Sequence, residues 1–308
     1  MAAFDGGTNY VGKTQADNFV PELWSDEIIA TYEKNLVAVP LVKNLSFDGK
    51  KGDKLNIPTP TRGSASAKAA GTAVTLIANT EGTTPVTIDQ HWEYSRLIED
   101  IVEIQALSSL RQFYTQDAGY ALAVRADTSV IRLGRGVNGG TPTTATSFAY
   151  ANAYIGSTGA TAYNATNAAA LADDGIRRAL QRLDDADVPM EGRFIIAPPV
   201  SRNSILGNSR FSTYDTYGSA VIPTGVIGRL YGVPVFITTN ADFATGGTNT
   251  DRAVLIGHRD FAVFVSQLKP RVQTQYKQEY LADLMTADML YGVAELRDSG
   301  ATVLVVPA

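Results

Sequence analysis

The sequence predicts an α+β protein of elongated, multi-part build. Three observations carry this. Apolar and polar side chains alternate for about a dozen residues around 86–98, an unbroken helical pattern covers 99–133, and short buried strands and helices follow one another over 169–260. The 308 residues suggest about two domains on a prior of roughly 100–200 residues each.

The elements follow in chain order. Residues 1–19, rich in Gly, Asn, Thr and Asp, read as an extended arm with no core of its own. Pro21 suits a first helical turn. Leu23, Trp24, Ile28, Tyr32 and Leu36 then make an apolar stripe, and Pro40 is expected to stop that helix. Gly52–Asp53 turns into a strand from Lys54 to Pro58. Residues 61–73 are almost all Ser, Ala, Thr, Gly and Lys. The clearest strand follows, where Val86, Ile88, Trp92, Tyr94 and Ile98 alternate with Thr87, Asp89, His91, Glu93 and Ser95. Residues 50–98 therefore read as one long two-stranded arm with a flexible tip. A lone hairpin is marginal in water, so this arm needs a surface to lie against, such as a neighbouring subunit.

From Ile101 to Leu133 apolar residues recur at three- and four-residue steps without proline. Gly119 is the weak point: it costs ~1 kcal/mol against alanine or marks a close crossing. Gly134 ends the helix. Roughly 28 residues from Ala106 would make a rod of roughly 42 Å, against a typical helix of about 11–12 residues. Residues 135–168 read as loop with a small hairpin. The α/β stretch 169–260 holds a helix on Leu171, Ile176, Ala179, Leu180 and Leu183, then a buried strand Phe194–Ala197 stopped by Pro198–Pro199. A short helix to about Leu206, a polar and aromatic loop over 207–224, a strand Val233–Thr238 and a strand Ala253–Gly257 complete it. Pro234 suits an edge or a strand start. The tail 261–308 reads as mostly β: Phe261–Val265, a strand near Arg271–Tyr276, and a last strand from Thr302.

Composition removes several classes of function. There is no cysteine, hence no disulfide, thiolate nucleophile or cysteine-ligated metal. His91 and His258 are the only histidines and lie far apart, which argues against a histidine-rich metal site. The formal charge is −5, and Lys50–Lys51 and Arg177–Arg178 are the only basic doublets. Tight nucleic-acid binding calls for a basic patch that is not visible here. The first ten residues lack a signal peptide's basic start and apolar stretch, and no window approaches ~18 apolar residues. A soluble, intracellular protein is expected.

The remaining motifs favour plain readings. Gly134-Arg-Gly-Val-Asn-Gly139 matches G-x-G-x-x-G, yet a dinucleotide site needs a strand before it and a helix after it. Here a helix precedes and a polar loop follows, so it reads as a helix stop. Asp173–Asp174 and Asp184, Asp185 and Asp187 lack calcium-loop spacing and read as a solvated face. No G-x-S-x-G elbow accompanies either histidine, which leaves both as surface or hydrogen-bonding residues. No catalytic, cofactor-binding or metal-binding residue is expected. Trp24, Trp92 and Tyr94, without clustered Arg or Lys, suit packing or interface anchoring better than base stacking. Arg62, Lys68 and Glu81 on the arm join them as candidate inter-subunit contacts.

Four stretches in one order resemble the major capsid proteins of tailed bacteriophages, with the Hong Kong 97-type capsid fold. They are Phe19–Ile28, Gly52–Pro60, Asp187–Pro198, and 225–235 continued through Ala253–Asp260. The resemblance covers nearly the whole chain. It implies an N-terminal arm and first helix over 1–49 and an extended loop over 50–98 lying on an adjacent subunit. It further implies a peripheral domain from 99–168 and 261–308 with the long helix as its spine, and an axial domain over 169–260. The implied role is a structural shell subunit, not an enzyme, forming hexamers and pentamers of an icosahedral head around double-stranded DNA. The implied partners are scaffolding, portal and cement or decoration proteins, and the implied location is the virion, assembled in the host bacterial cytoplasm. No motif fixes the family's cross-linking residues. A bacterial nanocompartment shell of the same fold, and an α/β enzyme with an unusual β arm, are the competing readings; particle formation and particle contents separate the three.

Overall fold

The computed structural model describes residues 36–47, 51–60, 63–74, 76, 81–100, 110–140, 150, 152–164, 166–207, 228–244 and 251–308. The expected first helix with Trp24, the start of the long helix and the 208–224 loop lie outside them, apart from Leu36. The described elements are α1 (Ala38–Leu41), β1 (Lys43–Ser46), β2 (Lys54–Pro60), β3 (Glu81–Thr87), β4 (Gln90–Glu99), α2 (Leu110–Arg132), β5 (Tyr154–Ile155) and α3 (Asp173–Asp185). After these come β6 (Arg193–Ala197), α4 (Pro199–Leu206), β7 (Arg229–Leu230), β8 (Val233–Ile237), β9 (Arg252–His258), β10 (Ala262–Lys277), β11 (Ala282–Glu295) and β12 (Ala301–Val306).

Two sheets organise them. The six-stranded sheet runs β5-β12-β9-β6-β8-β7. Its three central strands are apolar on both faces, which explains their uninterrupted hydrophobic runs. Ile195, Val254, Ile256 and Leu304 pack on one side against Ile176, Ala179 and Leu183 of α3 and Ile205 of α4. Phe194, Ile196, Leu255, Val303 and Val305 pack on the other side against Val130, Ile131 and Leu133 at the end of α2. Each such side chain contributes roughly 1.5–3 kcal/mol when fully buried. Pro234 sits in β8, covered at its outer edge only by the two-residue β7, as a strand proline requires.

The four-stranded sheet runs β1-β10-β11-β4. Helix α2 lies on one face, where Ala118, Leu122 and Ala126 meet Met285, Ala287, Met289 and Tyr291. The root of the β2–β3 arm lies on the other, where Val86, Ile88, Leu55 and Ile57 meet Val263, Val265 and Leu290.

Several expectations need correction. The alternation over 86–98 is two strands rather than one. It breaks at Ile88–Asp89, where the Ile88 N–H donates to the Asp53 carbonyl at 2.9 Å. Strand β3 pairs with β2 in the arm, and β4 leaves to pair with β11. The paired arm thus spans 54–87, and 90–99 is sheet. Residues 262–265 and 271–276 belong to one sixteen-residue strand, β10. Pro270 suggests a break, but register shifts between Ser266, Leu268 and Arg271 absorb it as a bulge. Pro40 lies inside α1 instead of ending a helix, in a first turn where its missing N–H has no intrahelical partner. Strand β12 pairs with β9 and β5, so the C-terminal stretch divides between the sheets: 262–295 with α2 and 301–306 with the α/β part.

Helix α2 ends in a 3-10 turn, Leu133–Arg135, and a turn in which Asn138 and Gly139 have positive φ. The G-x-G-x-x-G match is therefore a helix stop. A Cβ at Gly119 would meet nothing within 4 Å among the described residues, so no described element crosses there. Gly119→Ala should accordingly stabilise the unassembled subunit by about 0.5–1 kcal/mol, read from the shift of its urea midpoint.

Candidate subunit interface

Strands β2 and β3 pair over seven residues each, from Lys54 opposite Thr87 to Pro60 opposite Glu81. Three prolines, Pro58, Pro60 and Pro85, fit because among the described residues no further strand pairs with either edge of this ribbon. The root is held by the apolar cluster just described. Further out, residues 63–74 and 76 are all exposed. Val74 is 67% and Leu76 88% exposed. Two large apolar side chains this open on one segment make it a candidate contact surface.

A second projection is the β10–β11 hairpin. Its distal end exposes Tyr276, Tyr280 and Leu281. Three strands meet across its middle in an ion cluster. The Arg271 guanidinium donates to both Asp288 oxygens at 2.8 and 3.1 Å, and His91 Nε2 lies 3.3 Å from Oδ2. The Arg271 hydrogen bonds, aided by His91, hold the Asp288 carboxyl below the usual carboxylate range.

The six candidate contact residues fall into three groups. Trp24 and Arg62 lie outside the described residues. Lys68 is exposed in the tip, and the Glu81 backbone pairs with Pro60 at the outer end of the ribbon. Trp92 and Tyr94 make their described contacts within the chain, because β4 is not part of the arm. Arg125 lies over the Trp92 ring at 4.7 Å, and the Tyr94 hydroxyl donates to Asp117 at 2.6 Å. Both rings seat α2 on its sheet. The structure thus brings Lys68 and Glu81 to one projection and separates them from Trp92 and Tyr94. The β10–β11 hairpin went unrecognised in the sequence. The buried face of β11 is Met285, Ala287, Met289 and Tyr291, and methionine and alanine carry little strand signal.

A buried polar junction fixes α2 to the six-stranded sheet. Arg135 donates to both oxygens of Asp242, at 2.6 and 2.8 Å, and the Tyr150 hydroxyl adds a bond at 2.8 Å. Asp127 accepts from the Ala38 N–H at 2.6 Å and from Asn240 Nδ2 at 2.9 Å. Burial and the Asp242 charge push the Tyr150 hydroxyl well above its ordinary range. The junction is saturated with internal bonds, which is the pattern of a structural brace rather than a reaction centre.

The other titratable groups follow suit. Asp173 and Asp174 pair with Arg177 and Arg178, and Asp184 pairs with Arg193. His258 is buried: its Nε2–H donates to the Glu191 carbonyl at 2.7 Å while Nδ1 accepts from the Asp260 N–H. Among the described residues no group of acids and histidines is arranged to hold a metal ion. Glu295 stands apart. It is half-buried at the end of β11, and burial, with the nearby Asp298 charge, pushes its carboxyl up to about 7. A raised carboxyl pKa means the folded state binds the proton more tightly than the unfolded chain does. Stability therefore rises as pH falls from above 7 towards 4.5, and the cost of the charge is complete above 7. Glu295→Gln should stabilise the subunit by about 1–2 kcal/mol at pH 8, after discounting for solvent screening, with the gain gone below the ordinary carboxylate range. Melting curves across that window check it.

Comparison with known proteins follows the same lines. The model of a family described as phage capsid protein matches residues 46–305. A structure from Mycobacterium phage Che8 superposes with a TM-score of 0.74 at 26% identity, covering 94% of this chain and 97% of the other. The capsid structure of cyanophage P-SCSP1u superposes with a TM-score of 0.76 at 20% identity, covering 99% of both chains. The capsid of a native GTA particle superposes at 0.66 and 12% identity, covering 98% of this chain and all of the other. No curated protein sequence matches the chain.

Proposed function

Since the chain belongs to the phage capsid protein family, and so is a structural subunit of a phage head with the Hong Kong 97-type fold, we propose that its copies close into hexamers and pentamers. These capsomers build an icosahedral shell around double-stranded DNA. Heterologous contacts that close on themselves generate such rings. Many weak contacts per subunit then add up in a closed shell.

In this reading the four regions are an N-terminal arm over 1–49, an extended loop over 50–98, a peripheral domain from 99–168 and 261–308, and an axial domain over 169–260. Strand β12 is lent to the axial sheet. The loop lies on a neighbouring copy. Lys68, Glu81 and Arg62 are contact residues of the loop, Trp24 is one of the N-terminal segment, and Trp92 and Tyr94 hold the base from which the loop reaches out. The single observation that carries the reading is the β2–β3 ribbon, which leaves Val74 and Leu76 uncovered by their own chain. Scaffolding, portal and cement or decoration proteins are the partners of such a shell, and the virion, assembled in the host bacterial cytoplasm, is its location.

Electron microscopy of the chain, expressed alone or with a scaffolding protein, tests this. Angular shells or capsomers are expected, and native particles should contain DNA rather than enzyme cargo. Deleting residues 61–75 should leave a subunit that melts as the wild type does but yields few particles. Unchanged assembly would remove the loop from the contact.

A further inference from the structure

Between the outer face of α2 and the turn 239–243 lies an open cleft of about 710 Å³. Its charged lining is Arg125, Arg132 and Arg252 against Asp117 and Asp242. Both carboxylates have their shortest described contacts elsewhere. Asp242 is held by Arg135 at 2.6 Å and by Tyr150 at 2.8 Å, with Arg132 further off at 3.7 Å. Asp117 accepts from Tyr94 at 2.6 Å and sits 3.9 Å from Arg96. The arginines are also pre-set in position. Arg252 lies 3.7 Å over the Phe243 ring and donates to the Ala241 carbonyl, and Arg125 lies over Trp92. The chain as a whole carries −5, so this is a local excess of positive charge on an acidic molecule.

Given the shell reading above, on which this rests, we infer that the cleft receives carboxylate side chains from a second copy of this chain. Guanidinium groups held in place by ring stacking bind carboxylates in a planar, two-point manner. Burial disfavours the charged forms of Arg132 and Arg252. Asp242 opposes this at both, while Arg135 and Arg125 add like-charge repulsion at Arg132. The attraction of an incoming anion offsets both effects. A neighbouring copy suits the cleft better than DNA for two reasons. The chain has 31 acidic against 26 basic residues, so a wall of its own copies is rich in carboxylates. The cleft is also half apolar, lined by Tyr120, Ala121, Val124 and Phe243 beside the arginines. That fits a segment bearing side chains, apolar as well as acidic.

Arg125→Lys and Arg252→Lys, made singly in the full chain, place an amine in the cleft. Particles assembled from mixed isotope-labelled and unlabelled chains are treated with a water-soluble carbodiimide, which joins an amine to a carboxylate in contact. The expected result is a peptide containing residue 125 or 252 joined to an Asp or Glu peptide of the other isotopic copy, present in particles and lost in dispersed subunits. Links confined to Asp117 or Asp242 of the same copy would overturn the inference, as would their absence while other inter-copy links form. A DNA mobility shift by the wild-type subunit that Arg125→Ala or Arg252→Ala abolishes would overturn it in favour of nucleic acid. Failure of the wild-type chain to form particles under any condition would instead sink the shell reading, and this inference with it.

Discussion

Asp242→Ala should cost the folded subunit about 3–5 kcal/mol, the largest loss expected from any single polar side chain here. The reason is what it leaves behind. The Arg135 side chain is 1% exposed, and its guanidinium makes two of its bonds to Asp242. Both of these bonds go when the carboxylate is removed, and the buried charge loses its counter-ion. The Tyr150 hydroxyl loses its acceptor in the same step. Pairing the change with Arg135→Met should recover much of the loss, because a buried ion pair replaced on both sides by apolar groups is often neutral. Denaturant unfolding of the two single variants and the double variant measures the coupling. A loss below about 1 kcal/mol for Asp242→Ala would mean that the brace does not hold α2 to the sheet.

Gly292→Ala should act on the arm instead. A Cβ at this position would sit 2.5 Å from the Thr87 carbonyl oxygen and 3.1 Å from the Ile88 Cα. Both are backbone atoms. Strand β11 is held here by β10, with Gly292 opposite Val265, and by β4 up to the preceding residue, Tyr291. The root of β3 must move, and with it the seat of Val86 and Ile88 on the sheet. Overpacking of this kind costs about 1–3 kcal/mol. The effect on assembly should exceed the effect on stability, because a small rotation at the root displaces the tip by much more. Melting temperature and particle yield, measured together, separate the two. A variant with wild-type yield would show that the arm's angle is not set at Gly292.

The arm and the spine helix were legible for different reasons, and each only in part. Period-two alternation announces strand, and it did so correctly for Val86–Thr87 and Gln90–Ile98. It cannot announce that pairing partners change at Ile88–Asp89, because β3 in a ribbon and β4 in a sheet bury alternate residues in the same way. Trp92 and Tyr94 were assigned to the arm by that continuity, and the tertiary pairing moved them under α2. The opposite happened over 262–276, where two stretches read apart are one long strand whose bulge accommodates Pro270. The brace and the arginine cleft left no local trace. Arg135 and Asp242 are 107 positions apart, and isolated charges so far apart in a chain look like surface.

By itself the sequence determined the central strands β6, β9 and β12 and the helices α3 and α4. Burial on both faces demands continuous apolar runs, and proline and glycine bound them visibly. The absence of cysteine likewise leaves this sequence without a thiol. Only the tertiary structure decided which sheet each strand joins, where the arm leaves the body, and which arginines share a cleft. Those outcomes depend on contacts between segments far apart in the chain, and a periodicity read within one segment carries no information about its partner.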